Sequence, residues 1–206
     1  MEFAAVSLLN GMSLGVILFL LTAGLSLTLG LMGIVNLAHG ALFMIAAYVG
    51  WTIVVELGLS YWWALLAGPI CAGLVGLVME RGFLRFLYKR TDEQVLLTIG
   101  FIYILMNMSL WIWGGAFRLP YTASILSSSF PIAGLEYPLH RMFTIGIGLI
   151  LAFGLWWLQE KSKIGAIIRA GMDDKEMTTG LGLNLGRVNY LVFFLGAIMA
   201  GHAGVL

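Results

Sequence analysis

The chain has 206 residues, of which 61% are hydrophobic and 10% charged, with a formal net charge of +1. A soluble domain carries about 25% charged residues, so the apolar excess is directed at lipid rather than at a larger core, and the near-neutral balance gives no footing for nucleic acid. The single cysteine, Cys71, excludes an internal disulfide or a CxxC redox pair, and His39, His140 and His202 lie far apart in sequence and form no ligand-spaced cluster.

A membrane-crossing helix needs about 20 mainly apolar residues. Segments of about that size cover residues 6–32, 37–58, 61–79, 95–114, 142–158 and 188–206. They predict an all-α integral membrane protein, a polytopic bundle of about six apolar helical segments forming one domain over 1–206. The opening "MEFAAVSLLNGMSLGVILFLL" lacks the basic region of a secretory signal and reads as a retained span.

Between the first two segments lies "GLMGIVNLAHGALFM", residues 30–44. It carries Asn36 and His39 among glycines, including Gly33 and Gly40, and has no Lys or Arg. Irregular backbone at membrane depth is tolerated only where protein or a water-filled cavity satisfies its polar groups. A break or tight turn near residues 33–40 is therefore expected, with Asn36 and His39 turned away from lipid. Should both sit on helix, their spacing of three puts them on one face.

Next comes the basic stretch 80–93, "ERGFLRFLYKRTDE", with Arg81, Arg85, Lys89 and Arg90. Three of these recur every four residues opposite Phe83, Leu84, Leu87 and Tyr88, which predicts an amphipathic helix end at the headgroups. The stretch 115–141 holds three of the four prolines and reads as irregular. The stretch 159–187 holds Lys161, Lys163, Arg169, Lys175 and Arg187. Nine of the 11 basic residues thus fall in two alternate loops, which makes 80–93 and 159–187 cytoplasmic and 115–141 external. Within 159–187, "MDDKEMTTGLGLNLGR" suggests a short helix. Asp173 and Asp174 suit its N-terminus, where the helix dipole favours negative charge, and Gly180 and Gly182 can end it. The small-residue pairs Gly11/Gly15, Ala72/Gly76, Ala197/Gly201 and Ala200/Gly204 have the spacing that lets helices pack closely.

Three stretches together carry a resemblance. "GLSLTLGLMGIVNLAHGALFMIAAYVG" (24–50), "MERGFLRFLYKR" followed by "VLLTIGFIYILMNMSLWIWG" (79–114), and "IGAIIRAGMDDKEMTTGLGLNLGRVNYLVFFLGAIMAGHAGVL" (164–206) resemble, in family order, the permease subunits of branched-chain amino acid ABC importers, in their LivH-like form. The family's proline in the first basic loop is missing; Phe86 stands near its place. The family continues with further spans beyond "AGVL", so the resemblance implies a chain matching the N-terminal two thirds.

The resemblance also implies roles. The loop 159–187 would hold the coupling helix, with Asp173, Asp174, Lys175, Glu176, Gly180 and Gly182 facing ATPase subunits. Asn36, His39, Gly40 and Asn107 would line the translocation path or hold the helix break. The implied partners are ABC ATPases, a second, LivM-like permease subunit, an external substrate-binding protein and membrane lipid. No cofactor is implied, and the chain has no phosphate-binding GxxxxGK[ST] loop of its own. A permease for another small solute (a sugar, nucleoside, urea or amide) and an ATP-independent carrier or channel are the alternatives. Intramembrane hydrolysis lacks a serine in a nucleophile setting or a mid-span aspartate.

Overall fold

A computed structural model describes residues 2–88, 90–132 and 135–206. Six helices in it are long and apolar enough to cross a membrane. They are α1 (Glu2–Met32), α2 (His39–Trp51, continued by a wide π turn over Thr52–Glu56), α3 (Tyr61–Gly82), α4 (Thr91–Trp113), α5 (Leu139–Lys161) and α8 (Leu185–Val205). Between the last two lie the short helices α6 (Lys163–Asp173) and α7 (Lys175–Gly180). At 31 residues, α1 spans about 46 Å, longer than the hydrocarbon layer of about 30 Å.

The bundle is built around α8, which packs on α1, α2 and α3. Lipid tails are as apolar as leucine, so the packing of spans depends on how closely their backbones can approach. Gly196 of α8 faces Gly24 of α1 so closely that a β-carbon added at Gly196 would lie 2.7 Å from Gly24 O. One added at Gly201 would lie 2.6 Å from Pro69 Cα of α3, and one at Gly76 would lie 2.8 Å from Ala197 Cβ. The expected pairs Ala72/Gly76 and Ala197/Gly201 thus meet each other. Gly11 and Gly15 face open space. The helices α4 and α5 are peripheral: 17% of the most apolar stretch of each is buried, against 50% for α8.

The connections segregate to two ends. At one end lie the break at residues 33–38, the turn at residues 83–88 and 90, and α6–α7, tied by a cleft lined by Met32, Tyr88 and Lys175. At the other lie the outer end of α2, the start of α3 and residues 114–138, joined by Tyr61, Tyr121 and His140.

Two expectations are corrected. The basic stretch 80–93 does not continue as an amphipathic helix. The helix α3 stops at Gly82, Phe83 turns away, and a 3-10 turn covers Leu84–Leu87. The cause is Glu80, which is fully buried and accepts a hydrogen bond from the Tyr88 hydroxyl, folding the chain back. Arg81 and Arg85 therefore sit on separate elements; Lys89 lies outside the described residues. The stretch 115–141 is not wholly irregular: Ser129–Ile132 (β1) and Leu135–Pro138 (β2) form an antiparallel ribbon before α5 begins. Pro131 and Pro138 fit there, because a two-stranded ribbon has an outer edge on each strand where no N–H is needed.

Candidate translocation and coupling sites

The break forms because α1 ends at Gly33. Its φ of +65° is the left-handed conformation that closes helices, and its N–H donates to Leu29 O at 2.9 Å. The chain then crosses residues 34–38 without regular structure and re-enters helix at His39. Asn36 is therefore in the irregular segment rather than on a helix face shared with His39. Both are buried, at 2% and 4% exposure.

Their environments differ. His39 Nε2 lies 3.1 Å from Leu21 O of α1, which can only accept, so the ring reaches across the break to the neighbouring helix as a donor. Asn36 uses its backbone carbonyl to accept from the His39 N–H at 3.3 Å. Its side-chain Nδ2 and Oδ1 are buried and have no hydrogen-bond partner among the described residues. Leu37 N–H donates to Thr98 Oγ1 of α4 at 3.4 Å, so the break is also tied to a peripheral span.

Gly40 and Asn107 do not join this pair. Gly40 is exposed on the first turn of α2. Asn107 lies on the exposed side of α4, where its Nδ2 donates to Tyr103 O of its own helix at 2.7 Å.

The second group of residues sits on and around α7. Ser162 Oγ caps α6 by accepting from Gly165 N–H at 3.0 Å. This helix buries Ile168 and lays Gly171 against Leu31 of α1 and Leu185 of α8. The expected single helix start at Asp173 and Asp174 is in fact a junction. Asp173 is the last residue of α6, and Asp174 caps α7, its Oδ1 accepting from Met177 N–H at 2.9 Å. Gly182 follows with φ +80° and turns the chain toward α8. Asp173, Asp174, Lys175, Glu176, Gly180 and Gly182 are all exposed, and Thr178 alone in α7 is buried.

Sequence reasoning missed Met177 and Leu181. They are four apart, 66% and 71% exposed, and sit at the end of the molecule that carries the basic loops. Their signal was two large apolar residues inside the most polar stretch of the chain. It also missed Glu80, whose only sequence sign is a carboxylate abutting a span. Tyr88, half-buried and donating to that carboxylate, has its hydroxyl pKa pushed well above the usual tyrosine value, by burial first and then by Glu80.

Comparison with known proteins decides the class. The family model "branched-chain amino acid transport system / permease component" matches residues 7–206. The chain belongs to this family. Its similarity to individual permeases covers nearly all of this chain and about two thirds of theirs. It is 30% identical over 210 residues to the high-affinity branched-chain amino acid transport system permease protein LivH of Salmonella typhimurium, covering 96% of this chain and 68% of that protein. The LivH of Escherichia coli K12 is 29% identical over 212 residues, with the same coverages. The permease protein BraD of Pseudomonas aeruginosa is 25% identical over 217 residues, covering 97% and 69%. No solved structure matches the chain. This permease component is a multi-pass protein of the inner membrane, and its family works with ATPase and substrate-binding partners.

Proposed function

We propose that this permease component forms part of the translocation path for branched-chain amino acids and is driven through α7 by ATP hydrolysis on partner subunits. The substrates named for its relatives support the cargo. The end with the basic loops is then cytoplasmic, and the end with residues 114–138 external. A second, LivM-like permease subunit completes the path, and an external binding protein delivers the solute.

The observation that carries the coupling role is α7 itself. It is a capped, six-residue helix whose outer surface offers Met177 and Leu181 beside Lys175 and Glu176. Contiguous exposed apolar surface marks interaction sites, and this pair is read as the apolar part of such a contact. Its inner side reaches Leu31 and Met32 across a cleft of about 530 Å³. A push on α7 would therefore bear on the end of α1, next to the break with Asn36 and His39. These two then act as the inner hinge: His39 holds α2 to α1, and the unpaired Asn36 amide finds its partner in another state of the cycle.

Co-purification of the full-length protein with its neighbouring gene products tests this. An ATPase should bind, and Gly182→Pro, or Asp173→Asn with Glu176→Gln, should abolish substrate-stimulated ATP hydrolysis while the complex still assembles. Solute uptake that persists without any ATPase would sink the proposal.

A further inference from the structure

At the end opposite the basic loops, residues 115–121, α2 from Phe43 to Trp51, His140 and the end of α8 line an open cavity of about 720 Å³, within the range of small-molecule sites. It runs along α2 from Trp51 down to Phe43, a depth of about 12 Å at the helical rise. Its walls are aromatic and apolar: Phe43, Tyr48, Trp51 and Phe117, with the Tyr121 hydroxyl toward the floor, donating to Ala47 O at 3.3 Å. A shallower pocket beside it, of about 450 Å³, shares Trp51 and Arg118.

Among the described residues, Arg118 is the one guanidinium or ammonium side chain in these walls, with the imidazole of His140 as the other basic group. Arg118 is half-buried, its guanidinium carbon stands 4.2 Å from the centre of the Trp51 ring, and its Nη2 donates to Trp113 O. The surroundings are cross-linked by contacts: Trp113 stacks on Tyr48 with ring centres 5.0 Å apart and donates through Nε1 to Thr52 Oγ1 at 2.6 Å. Among the described residues, the buried Arg118 Nε has no hydrogen-bond partner and no carboxylate lies within ion-pair distance of Arg118. A guanidinium stacked on an aromatic ring is held in one plane, and its fork of N–H donors matches a carboxylate in bidentate fashion. Withdrawing such a cation from water without an anion is costly. The pattern, one oriented cation on the rim of an apolar chamber, fits a small solute with a carboxylate at one end and an apolar body.

We propose that Arg118 receives the carboxylate of the entering solute, whose side chain then occupies the chamber between Phe43, Tyr48 and Phe117. This rests on the cargo reading above, because a branched-chain amino acid has that chemistry. An acidic side chain of the binding protein is the other source of a carboxylate at this rim.

The test is direct binding of radiolabelled leucine to the full-length complex in nanodiscs without binding protein, together with the rate of dissociation of the binding protein from the same complex. Arg118→Gln should weaken leucine binding at least about tenfold, and Arg118→Lys should recover part of it. Leucinol, which lacks the carboxylate, should not compete. Binding of leucine to Arg118→Gln at the wild-type strength overturns the proposal, and so does equal competition by leucinol. Unchanged leucine binding with faster loss of the binding protein overturns it in favour of a docking contact. If the wild-type complex ignores leucine, isoleucine and valine but binds another apolar carboxylate with the same Arg118 dependence, the cargo reading falls and the site stands. If it binds no carboxylate solute at all, both fall.

Discussion

Helices α4 and α8 are nearly the same length, 23 and 21 residues, and both qualify as spans, yet they occupy opposite situations. The helix α8 is the hub of the bundle and α4 is at its margin, although α4 is the more apolar of the two by mean hydropathy. Apolarity buys entry to the membrane but not a central position within it. What α8 has is a ladder of small residues, Gly196, Ala197, Ala200, Gly201, Ala203 and Gly204, against which three other helices close. The helix α4 is inverted: it buries Gln94, Thr98 and Ser109 and turns Leu96, Ile99, Ile104 and Trp111 outward. In lipid, a polar stripe is what must face protein.

The largest effect should come from filling the ladder. Gly196→Leu forces a side chain into the backbone of Gly24 and is expected to cost more than about 3 kcal/mol. It should leave no monodisperse protein on size-exclusion chromatography in detergent. Gly100→Leu in α4, where nothing lies within 4 Å, should stay within about 0.5 kcal/mol of wild type. Equal damage from both would dissolve the contrast between the helices.

Asn36 should move stability and transport in opposite directions. Its amide is buried without partners, so Asn36→Leu should stabilise the resting protein by about 1–3 kcal/mol, seen as a raised thermal midpoint, while lowering uptake. A lowered midpoint would make the amide a structural bond instead.

The polar stripe of α4 is tied to the break through Thr98. Removing that acceptor in Thr98→Val should cost about 0.5–1.5 kcal/mol by thermal melting and increase hydrogen exchange at Leu37. Alkaline titration should show a smaller effect. Burial raises the pKa values of Tyr88 and Tyr121 above the ordinary value of about 10. Their contribution is therefore complete below about pH 10 and is lost as pH rises beyond it, where the unfolded chain releases protons first. Melting temperatures should be flat from neutral pH up to that point, and Tyr88→Phe should flatten the alkaline fall. The least effect is expected from Trp111→Ala. This side chain is 87% exposed on α4, and its loss should shift stability by no more than about 0.5 kcal/mol.

The six spans, their order and the break were legible in the sequence, because each depends on local composition: about 20 apolar residues in a row, or "NLAHG" interrupting them without a charge. The capped α7 was legible in part, since Asp174 and Gly182 are residue types that helix ends select, although Asp173 proved to close α6. The pairing of Ala72/Gly76 with Ala197/Gly201 could be suspected but not distinguished from Gly11/Gly15, which has the same spacing and touches nothing. Only the tertiary structure decided which span stands at the centre. It also decided that Asn107 faces outward while Asn36 is sealed in, and that Arg118, one arginine in a proline-rich loop, meets Trp51 from 67 residues away in sequence. The reason is that a residue's type sets whether it tolerates lipid, whereas its neighbours are set by which helix faces can approach, and that depends on several spans at once.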